Sequence, residues 1–187
     1  MKIGITGSIA SGKTTVSKIL SLKRGPLFSA DKVIKEFYRD SNFKKKIAKE
    51  LKIKNSSSFK KNIKKQILIN NKNIIKLEKI IHPMVRNEMK KFTSQYKKEK
   101  FLFYEIPLLI ESKLMKYFDV IIFVKAKKDI RLKRFKIKGG NKKLFNILNN
   151  KQLPDKRKVK FSDHIVVNEK NLSILKKNLL GIIQLYV

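Results

Sequence analysis

The chain of 187 residues has no cysteine and only two histidines, His82 and His164. Without thiols there is no disulfide framework and no thiolate metal site, and so few imidazoles make zinc an unexpected ligand. Acidic residues are scarce as well: 14 Asp plus Glu stand against 47 Lys plus Arg, a formal net charge of +33. Such an excess suits nucleic acid, an acidic membrane surface or a polyanionic small substrate. The basic residues are spread over predicted turns and outer helix faces rather than gathered into one tail, so most of the excess reads as solvated surface. No apolar run approaches the ~18 residues that span a bilayer. Residues 1–12 also lack the apolar centre of a signal peptide. The expectation is a soluble, cytoplasmic monomer with no specific nucleic-acid partner and no membrane attachment.

The apolar fraction, 42%, is enough for the core of one α/β domain with a small lid. Strand-like runs occur at residues 2–6, 26–29, 101–104, 120–124 and 164–167. The VIIFV run at 120–124 is apolar throughout, as a strand buried on both faces should be. Helical patterns cover residues 13–22, 31–51, 59–69, 72–96, 129–138, 142–151 and 172–185. Arg24-Gly25-Pro26 breaks the first of these, residues 54–58 form a loop, and Pro83 predicts a kink or a new helix start. Strands alternating with helices predict a mostly parallel sheet covered on both faces, with no internal repeat.

Gly7-Ser8-Ile9-Ala10-Ser11-Gly12-Lys13-Thr14 fits the phosphate-binding pattern G-x-x-x-x-G-K-[ST] in full. A strand enters it and a helix leaves it, so backbone amides and the helix N-terminus converge on phosphate oxygens. Lys13 is placed to reach the β- and γ-phosphates of ATP, and the Thr14 hydroxyl to bind Mg²⁺. Gly7, Ala10, Ser11, Gly12 and Thr15 complete the nucleotide-binding set. Gly7 and Gly12 are the positions expected to need glycine. Ser8 and Ala10 carry side chains and are expected to have angles open to any residue.

The few carboxylates then become informative. Asp31 follows the second strand, where an open α/β sheet faces its ligand crevice, and it can take a proton from an attacking hydroxyl. Glu105 ends the FLFY strand and is a candidate for Mg²⁺, while Glu111 either borders the acceptor or is structural. Among the cations, Arg131 and Arg134 share a helix face in RLKRFKIK, and Gly139-Gly140 after it suggests the hinge of a lid. No N-K-x-D base-reading motif of a GTPase appears where it should, and the chain is small for a motor. A kinase of a small metabolite is the economical reading.

The set of motifs resembles the dephospho-CoA kinase family. GSIASGKT stands for its GGIGSGKS-like loop, Ser29-Ala30-Asp31 for its D-A-D, and LEKIIHP at Leu77–Pro83 for its Leu-x-x-Ile-x-HP element. Pro107–Glu111 matches PLL-x-E and Arg131–Arg134 the lid run. Gln152-Leu153-Pro154, Lys158 and residues 162–168 match the turn, lysine and strand beyond the lid. The resemblance implies a P-loop nucleoside-kinase-like three-layer α/β sandwich, with residues 32–96 as a helical acceptor-side subdomain and residues 126–158 as the lid. It implies ATP-dependent, Mg²⁺-assisted phosphorylation of the ribose 3′-hydroxyl of dephospho-CoA, the last step of coenzyme A biosynthesis. Asp31 would be the base, Lys13 and Arg134 would meet the transferring phosphates, and Asn168 would lie near adenine. Lys60, His82, Pro83 and Glu111 would face the acceptor. Ser29 for Asp, Lys60 and Lys138 for Arg, and Arg131 for Gln are departures from the pattern. Other readings are a different small-metabolite or nucleotide kinase of this fold, and an ATP-gated nucleic-acid-binding protein.

Overall fold

A computed structural model describes all 187 residues. Five strands form one sheet: β1 (Lys2–Gly7), β2 (Leu27–Ser29), β3 (Leu102–Glu105), β4 (Val120–Lys125) and β5 (His164–Val167). Their order is β2-β3-β1-β4-β5, and every neighbouring pair runs parallel. Central β1 sets Ile5 beside Glu105 of β3 on one side and Ile122 of β4 on the other. The carboxyl ends of β1 and β3 therefore lie together, where open α/β sheets form their ligand crevice.

The chain divides into two compact units, one of Met1–Ser29 with Tyr96–Val187, the other Ala30–Gln95. In the first, α1 (Lys13–Ser21) and α9 (Leu172–Gln184) cover one face of the sheet. Val16 and Leu20 of α1 and Leu175, Leu179 and Ile183 of α9 close over Ile3, Ile5, Phe103, Ile122 and Val166. This is the apolar stripe that the 3.6-residue repeat demands. On the other face Tyr104 stacks edgewise on Phe118, and Gly4 leaves room for Leu109 and Phe118 against β1. Between β4 and β5 the chain makes α6 (Lys128–Ile137), α7 (Lys142–Lys151) and the short α8 (Asp155–Val159).

The second unit is helical: α2 (Ala30–Phe37), α3 (Ser41–Leu51), α4 (Phe59–Ile69) and α5 (Asn73–Gln95). Phe43, Ile47, Leu51, Phe59, Ile63, Leu77 and Ile80 make its core.

Two local expectations change and one narrows. The single helix expected over residues 31–51 is two, because the Asp40 carboxylate accepts the Phe43 N–H at 2.6 Å and caps a new helix. Of the two alternatives expected at Pro83, a kink or a new helix start, the second is excluded, because α5 runs through it. Strand β3 also keeps Glu105 rather than stopping before it. Finally, Gly139 and Gly140 form a helix cap. Gly140 N–H donates to Phe135 O and Gly139 N–H to Lys136 O, with Gly139 at φ +79°, the paired bonds of a Schellman motif.

Candidate active site

The phosphate loop leaves β1 at Gly7 and enters α1 at Lys13. A Cβ on Gly7 would meet the Val124 carbonyl and Ser11 Oγ, so close approach excludes any other residue. Gly12 caps α1 at φ +98°, and a Cβ there would run into the Asn168 amide. Ala10 corrects the expectation drawn from its side chain: it sits at φ +59°, in the left-handed region. A residue with a Cβ is disfavoured there by about 1–2 kcal/mol. Lys13 Nζ donates to the carbonyls of Gly7 and Ser8, both at 3.1 Å, and so crosses the base of the loop. The amide dipoles that open α1 make the positive end of the helix, and that end is what fits this turn to phosphate.

Beside the loop, Glu105 is 1% exposed, and a carboxylate buried without donors would cost several kcal/mol. Three hydroxyls surround it. Thr14 Oγ1 donates to Oε1 at 2.5 Å, and Ser29 Oγ to Oε2 at 3.0 Å. The Ser17 hydroxyl is shared between the Thr14 carbonyl at 3.2 Å and Glu105 Oε2 at 3.5 Å. This Thr–Glu pair offers hard oxygen ligands at the loop, the donor set that Mg²⁺ takes alongside phosphate and water. No group of three His, Cys, Asp or Glu side chains gathers elsewhere to hold a metal without substrate.

The segment from β4 to β5 lies against the loop's outer side. Arg131, 6% exposed, donates from Nε to Ala126 O at 3.0 Å and from Nη1 to Asn149 Oδ1 at 2.7 Å and Ile9 O at 3.4 Å. Its guanidinium lies over Phe145. Burial draws it below the ordinary arginine value, and the charge of Asp155 works against that shift. Arg134 Nη1 and Asn168 Nδ2 both donate to Ser11 O, at 3.3 and 2.8 Å. Next to them a cavity of about 330 Å³ is lined by Ala10, Gly12, Thr15, Arg134, Lys138 and Asn168, together with Lys170, Leu172 and Leu175. Its size and its apolar-plus-basic lining suit a nucleotide base and its sugar.

Gln152 and the buried Lys158, matched by motif but given no role there, and Asp155, which no motif includes, also reach this site. Gln152 Oε1 accepts the Ile9 N–H at 2.8 Å, and Asp155 Oδ1 accepts from Ser8 Oγ at 2.5 Å. Glu111 Oε1 accepts the Leu153 N–H at 3.1 Å and faces Lys158 Nζ at 2.7 Å. Asp155 has a signal in sequence only as one of 14 acidic residues, placed after a proline.

The remaining predicted residues belong to the helical unit. Asp31 is exposed in the first turn of α2, where a carboxylate complements the helix dipole. Lys60 Nζ lies over the Tyr38 ring at 5.2 Å, and His82 and Pro83 lie on α5.

A parallel sheet whose first strand feeds a G-x-x-x-x-G-K-T loop, with Thr14 against a buried Glu105, defines a P-loop nucleotide-binding protein. The family model for dephospho-CoA kinase matches residues 1–173. Dephospho-CoA kinase of Fusobacterium nucleatum is 32% identical over 182 residues, covering 95% of this chain and 94% of that protein. Among solved structures, TT1252 from Thermus thermophilus superposes with a TM-score of 0.80 at 22% identity, covering 100% of this chain and 98% of the other. Dephospho-CoA kinase from Campylobacter jejuni superposes with a TM-score of 0.66 at 24% identity, covering 98% and 96%. The chain belongs to the dephospho-CoA kinase family. It is an enzyme that phosphorylates dephospho-CoA with ATP, within coenzyme A biosynthesis, and this assignment favours that activity over both alternative readings.

Proposed function

We propose that the γ-phosphoryl group of ATP passes to the ribose 3′-hydroxyl of dephospho-CoA with Asp31 as general base, completing coenzyme A. The observation that carries the donor half is the loop itself: Lys13 spans its base, and Thr14 meets the buried Glu105. In this reading the 3′-oxygen bonds to the γ-phosphorus as its proton moves to the Asp31 carboxylate. The bond to the β,γ-bridging oxygen breaks, and ADP leaves. Lys13 and Arg134 hold the phosphate oxygens as charge shifts onto the leaving group. Thr14 and Glu105 would hold Mg²⁺, which when bound neutralises phosphate charge. Adenine takes the cavity beside Asn168 and Leu172.

The Ala30–Gln95 unit supplies the acceptor side through Lys60, His82 and Pro83, and residues 126–158 act as the lid. For Glu111, the pairing with Lys158 supports the structural of its two roles, and we assign it no acceptor contact. The protein is further taken as a cytoplasmic monomer; no helix is long and apolar enough to cross a membrane. Of its 47 basic residues only Lys13, Arg131 and Lys158 are buried, so the excess charge is a feature of the surface.

Side-by-side assays with dephospho-CoA, AMP and shikimate test the reading. Phosphorylation at the 3′-hydroxyl of dephospho-CoA is expected. Turnover no higher than the no-acceptor control would overturn it, and ATP hydrolysis that rises steeply with added DNA or RNA would support the nucleic-acid alternative.

A further inference from the structure

We infer that Asp155 is a positioning residue of the phosphate loop, acting through the Ser8 hydroxyl to set the affinity for ATP. The inference rests on the ATP-dependent activity assigned above. Ser8 is 3% exposed, and its only side-chain partner is Asp155 Oδ1 at 2.5 Å. Its carbonyl accepts both the Ser11 N–H and Lys13 Nζ, each at 3.1 Å, so a shift at Ser8 moves the lysine that meets the phosphates. The next residue is held from the same side, Ile9 N–H by Gln152 Oε1 and Ile9 O by Arg131 Nη1. Ala10 then turns through the left-handed region without being glycine. The outer half of the loop is thus fixed by side chains from α6 and from the turn into α8, and its shape does not rely on glycine alone.

Asp155 is itself held firmly. Glu111 accepts the Leu153 N–H and pairs with Lys158, the last of which is fully buried, so both flanks of Asp155 are anchored. Two departures from the family pattern meet at this carboxylate. Ser8 stands for a glycine and donates to it; Arg131 stands for a glutamine and sits in its field. Each is an unremarkable substitution in isolation. Together they make a brace in which an anion next to a phosphate site is engaged by one hydroxyl and screened by one buried cation.

Steady-state kinetics of the full chain test this with Asp155→Ala, Asp155→Asn, Ser8→Gly and the double variant Ser8→Gly/Asp155→Ala, each checked for folding by circular dichroism. Asp155→Ala and Ser8→Gly should each raise the KM for ATP about fivefold, which is about 1 kcal/mol at 1.4 kcal/mol per tenfold. The KM for dephospho-CoA should stay within about twofold, because one hydrogen bond on the donor side is removed. The double variant should be no worse than either single, since both remove the same bond. Asp155→Asn keeps the acceptor atom and should recover most of the affinity. Unchanged KM for ATP, additive effects in the double variant, or an Asn variant as poor as Ala would each overturn the inference. A wild-type protein inactive on dephospho-CoA would instead remove the activity on which it rests. If Asp155→Ala fails to fold, Ser8→Gly decides alone, because the family accepts glycine at that position.

Discussion

Lys158 Nζ lies 2.7 Å from Glu111 Oε1, with the lysine side chain fully buried and the glutamate 14% exposed. The contact lacks regular hydrogen-bond geometry, and Glu111 Oε2 has no partner, so this is an ion pair whose worth is mainly mutual charge compensation. Removing one partner strands the other in a poorly solvated site. Lys158→Met should therefore cost about 3 kcal/mol or more in urea denaturation, and Glu111→Gln a comparable amount. Replacing both, as Lys158→Met with Glu111→Leu, should cost clearly less than the two singles together. A double variant as unstable as the sum would mean that the pair acts as two separate packing elements.

Lys13→Ala removes the one cation within the loop. Turnover should fall by roughly 10²–10³, the loss typical for a donor that meets developing charge. Asp31→Asn should lower kcat by about 10²–10⁴ while the affinity for ATP, measured by equilibrium dialysis, changes little. A nearly unchanged kcat for Asp31→Asn would remove its assignment as base.

Much of this site is legible in the sequence because its chemistry is contiguous. Gly7 to Thr14 carry strand end, turn and helix start in one run, and nothing distant is needed to recognise them. Strand β4 is equally plain, since VIIFV is buried on both faces. The short β2 is visible mainly through the Gly25-Pro26 break before it, and the five residues of α8 are too few to show a helical period. Ala10 shows the limit of reading one residue at a time. Its side chain argues for ordinary angles, yet contacts from Gln152 and Arg131 to its neighbour hold the turn. Those partners are more than 120 residues away in the chain, so no local pattern announces them. Arg131 likewise reads only as sharing a lid-helix face with Arg134, whereas the fold buries it against Ala126, Asn149 and Phe145.

The glycine positions separate two effects. Gly12→Ala adds a Cβ both at φ +98° and against the Asn168 amide, so it should abolish measurable ATP binding and destabilise the protein by about 1–2 kcal/mol or more. Ala10→Gly relieves a left-handed residue at the cost of a more flexible unfolded chain, and a net gain of about 0.5–1 kcal/mol is expected. Thermal unfolding of both variants checks the signs. A destabilising Ala10→Gly would show that the alanine methyl contributes packing beyond its backbone strain.

Ser29 is the departure nearest the chemistry, because its hydroxyl donates to Glu105 Oε2 at 3.0 Å where the family pattern has aspartate. Restoring the carboxylate, Ser29→Asp, replaces that donor with a second anion beside a group that is 1% exposed. Two carboxylates at such a separation cannot both ionise cheaply, so one must bind a proton or the fold must weaken. In EDTA the variant should lose about 1–3 kcal/mol relative to the parent, the range that one to two units of like-charge shift represents. A divalent cation at Thr14 and Glu105 would neutralise the pair. Magnesium should then recover much of the loss for Ser29→Asp and do little for the parent in the absence of ATP, as read by unfolding midpoints with and without Mg²⁺. Equal responses of the two proteins to Mg²⁺ would argue against metal binding at these oxygens. A variant of unchanged stability in EDTA would mean that the introduced carboxylate turns away from Glu105.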